Sequence, residues 1–375
     1  MILGGALIFA IALALLLTYE YRSRKMRPDG WQGDFLDPEG TWPFKQAMTP
    51  CRLCGATSSL VLATRCRGGE QLETVLCDQC GLVRRDPLPS LEDLRQYYKA
   101  VYRVETGKGR IPSKRRLWRI SQAGLERALD LLPRLPEAAR TLDLGCGAGE
   151  LVYLLRAARC DAHGFDPDSR YIDWAYRIIG DAVEENTIEN FVPSRNFDAI
   201  FMYHVLEHMP DPRYVFSRCS EWLTVGGLLV IEVPNVEARN QAPGHQYIKP
   251  HLHYFNKTTL TVLASQNGFT LEHGDTYNND ENLRCYFRKR ARTERFESRQ
   301  PENADRIHAL LAAHDWLSHY TSTIPYARLW SRFSRSITET LRTLGRTHAS
   351  ILAATADELR VHMNSLEKPS TRLIR

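Results

Sequence analysis

The periodicity of apolar and polar positions changes character several times along the chain. Met1 to Tyr19 carries no charge and is dominated by Leu, Ile and Ala. A helix of that length rises roughly 28 Å, enough to cross a bilayer core. Residues 20 to 45 are polar and interrupted by Pro28, Gly30, Gly33, Pro38, Gly40 and Pro43, the composition of a linker. Lys114 to Leu132 places Trp118, Leu125, Leu129 and Leu132 at helical spacing, and Pro133 ends the run. From Arg140 short apolar runs alternate with helical periods. Strands are predicted at Thr141–Leu144, Ala162–Phe165, Phe197–Met202 and Gly227–Val233, with helices at Glu150–Arg159, Ser169–Ile179, Tyr214–Leu223 and Thr258–Asn267. Two last strands fall near Thr270–Gly274 and Leu283–Phe287. Such alternation predicts a mostly parallel sheet covered on both faces, and the short final connection predicts an antiparallel last pair. Ile307–Tyr320 and Leu329–Leu366 show helical spacing without chemical motifs, predicting a hairpin that packs on the body or dimerises.

These shifts divide the chain into a transmembrane anchor at 1–20, a linker at 21–45, a cysteine-bearing module at 46–100, a connecting helix within 101–135, an α/β domain at 136–290 and a helical region at 291–375. Arg22, Arg24, Lys25 and Arg27 follow the apolar run at once. Basic residues favour the cytoplasmic side, so the folded body is expected in the cytoplasm, held at a bacterial inner membrane. A cleaved signal would have a basic start and small residues at its cleavage site. Here Thr18–Tyr19–Glu20–Tyr21 ends the run instead. The formal net charge of +5 permits contact with an anionic surface without calling for a nucleic-acid partner.

Four of the nine cysteines form two tight pairs, Cys51–x–x–Cys54 and Cys77–x–x–Cys80, around a short β-rich stretch. That spacing is a structural zinc ribbon, four thiolates closing a tetrahedron and leaving no open position for catalysis. A disulfide pairing is the alternative in an oxidising compartment.

Leu142–Asp143–Leu144–Gly145–Cys146–Gly147–Ala148–Gly149–Glu150 joins a predicted strand to a predicted helix. Glycines at such a junction let the backbone approach a ligand, and the helix start offers free N–H groups. Glu150 breaks the dinucleotide spacing, leaving G-x-G-x-G at Gly145, Gly147 and Gly149. The second strand ends in Asp166, and an acid about 20 residues past such glycines hydrogen-bonds ribose hydroxyls. The loop and Phe165–Asp166 together resemble the first two motifs of class I S-adenosylmethionine (SAM)-dependent methyltransferases. The resemblance covers residues 50 to 290, since Cys77–Leu82, Pro87–Ser90 and Tyr97–Tyr98 look like the zinc module preceding that domain in a group of bacterial methyltransferases. It implies a Rossmann-like sheet with an antiparallel last strand, SAM as cofactor and structural zinc. Asp143 would orient the amino-acid tail of SAM and Asp166 would hold its ribose. Thr187 stands where many relatives carry an adenine-side acid, leaving the backbone of Ile188 to serve.

Phe197 to Pro212, ending Leu206–Glu207–His208–Met209–Pro210–Asp211–Pro212, resembles the fourth motif of the small-molecule and sugar branch. The Asn/Asp–Pro–Pro–Tyr sequence common among enzymes acting on amines of nucleic-acid bases is absent there. Some members of the family this chain resembles use Glu-x-x-Glu-His and a later His as a metal site. Here His204 stands in place of the first Glu, before Glu207–His208, with His251 and His253 available later, and two His and a carboxylate can bind a divalent ion. Alternatively, Glu207 and His208 cap the next helix and shape the pocket. Pro234 to Asn256 is a long irregular connection, expected to act as a lid. Its His251–Leu–His253–Tyr254–Phe255 end resembles sugar C-methyltransferases, in which the His acts as base; Pro250 stands where those enzymes place a Glu. His251 is therefore the first candidate for the base, followed by Glu207 and His208. The function expected is methyl transfer to an oxygen or carbon of a small molecule, sugar or lipid-linked glycan at the cytoplasmic membrane face. A ribosomal-RNA methyltransferase and a non-catalytic membrane scaffold stand as alternatives.

Overall fold

The computed structural model describes residues 44–46, 49–96, 111–278, 280–291 and 296–367. The anchor and most of the linker lie outside the described residues. Among the described residues no helix is long and apolar enough to cross a membrane.

Two sheets make the body. The larger has seven strands in the order β11-β12-β9-β8-β5-β6-β7: β5 Arg140–Leu144, β6 Asp161–Asp166, β7 Val183–Glu185, β8 Phe197–Tyr203, β9 Leu223–Pro234, β11 Phe269–Tyr277 and β12 Asn282–Lys289. β5 to β9 run parallel, while β12 is antiparallel to both β9 and β11. Successive side chains on a strand point to opposite faces, and here both faces are covered. Leu142, Leu144, Ile200, Met202, Leu229 and Ile231 face one apolar cluster with Phe216 and Trp222 of helix α5 (Pro212–Trp222) and Leu260 and Leu263 of α6 (Lys257–Ser265). Ala199, Phe201, Leu228 and Val230 face the other. There they meet Leu125 and Ala128 of α2 (Lys114–Leu131), Leu151 and Leu154 of α3 (Glu150–Ala157), and Tyr171 and Ala175 of α4 (Ser169–Ile179). At about 25 cal/mol per Å² of apolar surface removed from water, these two clusters dominate the stability of the domain.

The smaller sheet is antiparallel, ordered β1-β2-β3-β4-β10. Its first four strands (β1 Phe44–Gln46, β2 Ser58–Arg65, β3 Gln71–Cys77, β4 Val83–Arg85) come from the cysteine-bearing stretch, and a short helix α1 (Leu91–Gln96) follows them. The fifth, β10 (His253–Tyr254), comes from the connection after β9, pairing His253 with Arg84 and Tyr254 with Val83. The connection predicted as a lid is thus built into the ribbon sheet.

The C-terminal region differs from the two long helices expected. It folds as α7 (Pro301–Ala312), α8 (Trp316–Thr321), α9 (Ile324–Thr343) and α10 (His348–Glu367). The first break follows from a capping box in which Asp315 accepts from the Ser318 N–H and the Ser318 hydroxyl side chain answers the Asp315 backbone. The second falls at Leu344, which is extended, and Gly345, which has positive φ. Ile351, Leu352 and Leu359 of α10 join the cluster on the α2–α3 side of the large sheet.

Candidate functional site

The functional residues gather at the carboxyl ends of the parallel strands, where an α/β sheet binds its ligands. After β5 the chain turns through Gly145, Gly147 and Gly149, all with positive φ (79°, 55° and 72°), before α3 begins. The loop is anchored from below, because the N–H groups of Gly145 and Cys146 both donate to the Phe165 carbonyl (2.8 and 3.0 Å). Asp166, at the end of β6, turns its carboxylate to this loop. Its Oδ2 accepts from the Gly147 N–H at 3.0 Å and its Oδ1 from the Asp168 N–H at 2.9 Å.

The glycines differ in what lies beyond them. A Cβ on Gly145 would stand 2.5 Å from the Val205 Cγ2, whereas one on Gly147 would meet nothing within 4 Å. Gly147 therefore borders open space. Gly147→Ala is expected to cost about 1–2 kcal/mol, the penalty of a side chain in the left-handed region. Gly145→Ala should cost about 2 kcal/mol more, since the clash adds overpacking. Urea unfolding of the two variants checks the order.

Asp143 lies one strand position below the loop and is buried. Burial, then Glu150, push its carboxyl up to about 8, with Arg127 opposing. The sign for stability follows. The folded protein holds this proton up to about pH 8 and the unfolded chain releases it near pH 4, so Asp143 lowers stability progressively as pH rises across that window. Asp143→Asn is expected to be more stable than the parent at pH 8 and to lose that advantage toward pH 4, measured as urea midpoints across pH.

The rim after β8 is densely ionic. His204 holds a left-handed φ of 60°, rare for a residue with a side chain and a mark of functional strain. Its N–H donates to the Glu232 carbonyl at 2.8 Å. Its ring bridges two buried carboxylates, with Nδ1 3.3 Å from Glu207 Oε1 and Nε2 3.3 Å from Glu232 Oε1. Burial works against its charge, but the two carboxylates outweigh burial and push His204 up to about 9. Burial likewise acts to raise Glu207, while His204 and then His208 overcome it and hold Glu207 at about 2. Behind His204, Glu232 also takes Arg127 (2.8 Å) and Arg284 (2.6 Å), and Arg284 reaches on to Glu126 (2.8 Å).

His251 meets this rim from the opposite side. Its ring lies edge-on to His208, with centroids 5.0 Å apart, and its Nδ1 is enclosed without a hydrogen-bond partner. Burial, helped by the His208 charge, pushes His251 down to about 3, so the ring is neutral at physiological pH. Glu207, His208 and His251 each offer one donor atom, all within 4.8 Å of one another. His253 is not in that group; it sits in β10 and stacks on Phe255. The helix after the rim is capped by Asp211, which accepts from the N–H groups of Arg213 and Tyr214, so Glu207 and His208 do not serve as its caps. Ile188 lies just beyond β7 with its side chain in the core and only its backbone left to act.

Cys51, Cys54, Cys77 and Cys80 converge within 4.8 Å, and none forms a disulfide. Cys51 Sγ lies 3.5 Å from Cys80 Sγ, and Cys54 Sγ 3.5 Å from Cys77 Sγ. A tetrahedron with metal–sulfur bonds of about 2.3 Å has edges of roughly 3.8 Å, so the donor set fits a zinc-sized ion. The connection after β9 is clasped by this module. The Arg67 N–H donates to the Tyr247 carbonyl (2.7 Å), the Arg85 N–H to the Leu252 carbonyl (2.9 Å), and Lys249 pairs with Glu70 (3.0 Å). On the other side, the Leu252 N–H donates to the Glu207 carbonyl at 2.7 Å. His251 is therefore held between the ribbon and the rim.

Residues 116–273 match a family model described as a methyltransferase domain. Residues 116–273 thus carry a methyltransferase domain. Among its relatives is a trans-aconitate 2-methyltransferase of Rhizobium etli, 31% identical over 113 residues, which make up 29% of this chain and 44% of the relative. A ubiquinone biosynthesis O-methyltransferase of Bradyrhizobium diazoefficiens is 32% identical over 102 residues, 26% of this chain and 40% of its own. The chain thus spans under half the length of these relatives. Among solved structures, the magnesium protoporphyrin IX methyltransferase of Synechocystis PCC 6803 with bound SAH is 15% identical, covers 53% of this chain and 100% of its own, and has a TM-score of 0.40. The methyltransferase domain begins within α2, upstream of the glycine loop, which puts Arg127 inside it. Arg127, Glu232 and Arg284 were not legible as site residues. The available signal was a charge inside each of two apolar strand runs, Leu228–Val233 and Leu283–Phe287, since such charges are buried only when paired.

Proposed function

We propose that this protein is a SAM-dependent methyltransferase acting on an oxygen or carbon of a small molecule, sugar or lipid-linked acceptor at the cytoplasmic face of a membrane. The observation that carries the reading is the Gly145–Gly149 loop at the carboxyl end of β5, open at Gly147 and tied to the Asp166 carboxylate. Two features fit SAM. The open space at Gly147 admits a ligand against the backbone, and the buried Asp143 carboxyl, protonated up to about pH 8, becomes the counter-charge of an ammonium tail by giving up that proton when the tail arrives. In this reading Asp143 orients the tail, Gly145, Gly147 and Gly149 let the ligand approach, Asp166 holds the ribose hydroxyls and the Ile188 backbone meets the base. Bound SAM supplies an electrophilic methyl group. The chain's own task is then to align the acceptor and take its proton. His251 is the candidate because it is neutral and its Nδ1 has no hydrogen-bond partner; burial and the His208 charge hold it down to about 3, so the proton it takes must be stabilised by the adjacent Glu207 carboxylate. Its cationic neighbour His204 and the carboxylate of Glu207 fix the field around it.

Relatives named for ubiquinone biosynthesis O-methyl transfer favour oxygen as the acceptor atom. We assign zinc to Cys51, Cys54, Cys77 and Cys80, and the anchor to residues 1–20. Transfer of labelled methyl from SAM into fractionated lipid, glycan and RNA pools tests the reading. Label is expected in a lipid or glycan fraction and should fall about a hundredfold or more in His251→Ala, the scale of a lost general base. Label entering only RNA, or no transfer by a protein that binds SAM, would overturn the acceptor class or the activity respectively.

A further inference from the structure

Helix α9 is turned inside out relative to an ordinary surface helix. Trp330, Phe333, Ile337, Leu341 and the following Leu344 recur at intervals of three and four and form one stripe, and all are exposed, Trp330 at 67% and Leu344 at 77%. The face toward α2 is polar instead. Buried Glu339 takes the Arg119 guanidinium at 2.5 and 2.9 Å and Arg115 at 3.6 Å, and the Ser336 hydroxyl meets Arg115 at 2.6 Å. Glu339 is the only acid in α9, and it is spent on these pairs. Arg332, Arg335 and Arg342 are exposed on the rest of the helix, with only Arg335 near enough to Glu339 to act on it. An aromatic and aliphatic stripe on a helix whose exposed charges are all positive is the composition of a helix lying in a bilayer interface.

We infer that α9 docks on an anionic lipid surface, with Trp330, Phe333, Ile337, Leu341 and Leu344 inserted at the headgroup boundary and the arginines drawn to lipid phosphates. Charge argues against a second copy as the occupant. Two such helices would pack with axes about 8–10 Å apart and bring exposed arginines together. The same chain carries an uncharged apolar segment at 1–19 followed by Arg22, Arg24, Lys25 and Arg27. The polar stretch from 20 to 43 extends at most roughly 80 Å, ample reach for α9 to meet the bilayer that holds the anchor. The inference shares the bilayer with the anchor assignment, and one experiment separates them.

The full chain is reconstituted into liposomes of zwitterionic or of mixed anionic lipid, and amide hydrogen exchange is followed. Peptides covering 328–344 are expected to exchange about tenfold slower in anionic than in zwitterionic vesicles, with the difference lost at high salt. Phe333→Glu combined with Leu341→Glu, both exposed, should abolish that protection and leave the exchange of the large sheet unchanged. Protection that follows protein density rather than lipid charge would assign the stripe to a second copy and overturn the inference. Protection indifferent to both would place residues 1–19 on it, and no protection at all would also overturn it. Exchange within 1–19 reports on the anchor separately, so free exchange there beside a protected α9 would reject the anchor alone.

Discussion

Asp166→Ala is expected to weaken SAM binding at least about a hundredfold while leaving the sheet folded. The carboxylate accepts from two backbone N–H groups, Gly147 at 3.0 Å and Asp168 at 2.9 Å, and so ties the glycine loop to the start of α4. Hydrogen bonds to a charged acceptor contribute roughly 1.5–3 kcal/mol each. Losing both frees the loop and removes the acceptor proposed for the ribose, and about 3 kcal/mol corresponds to about two decades in Kd. Asp166→Asn separates the two roles. Its amide oxygen can keep one of the N–H bonds, but its NH2 then faces the other donor, so an intermediate loss is expected. Calorimetry of SAM binding, with urea unfolding as the control for folding, reads both variants. Binding within threefold of the parent in a folded Asp166→Ala would remove the basis for the cofactor site.

The α/β body was legible because its signals are local. The strands predicted between Thr141 and Val233 are short runs bounded by turns, and the helices have their own periods, with caps such as Asp168 before α4 and Asp211 before α5; β7, with one apolar residue and two exposed glutamates, was not predicted and exists by pairing with β6. Gly145 to Gly149 and Asp166 were legible for the same reason, since one turn and one strand end bring them together. What was not legible is non-local. β10 is two residues long and exists only because Val83 and Arg84 pair with it across the fold. Glu232, Arg127 and Arg284 come from three elements and meet only when β12 lies antiparallel beside β9. The split of the C-terminal region was written locally, in the Asp315–Ser318 box and in Gly345, beneath a helical period that runs through both.

That non-local strand makes the ribbon part of the reaction site. Removing the ion proposed for the four thiols is therefore expected to abolish methyl transfer before it affects SAM. Cys77 ends β3 and Cys80 lies between β3 and β4, both fully buried, so the thiol cluster sets the turn that presents β4 to β10. β10 begins two residues after His251, and its neighbour Leu252 is held by the Arg85 N–H on one side and the Glu207 carbonyl on the other. If that turn opens, His251 loses its fixed distance from the rim. A displacement of about 1 Å at a reacting group can cost on the order of a hundredfold in rate. The glycine loop and Asp166 hang on β5 and β6 of the other sheet, so SAM affinity should change by less than about threefold in the same sample, within the additivity of distant sites. Treatment with a strong chelator, and Cys80→Ser independently, should give this split between transfer and binding, with zinc restoring the chelated protein and not the variant. A parallel fall in both would reduce the ribbon to a source of general stability, and unchanged transfer would show that the clasp on His251 does not matter to the chemistry.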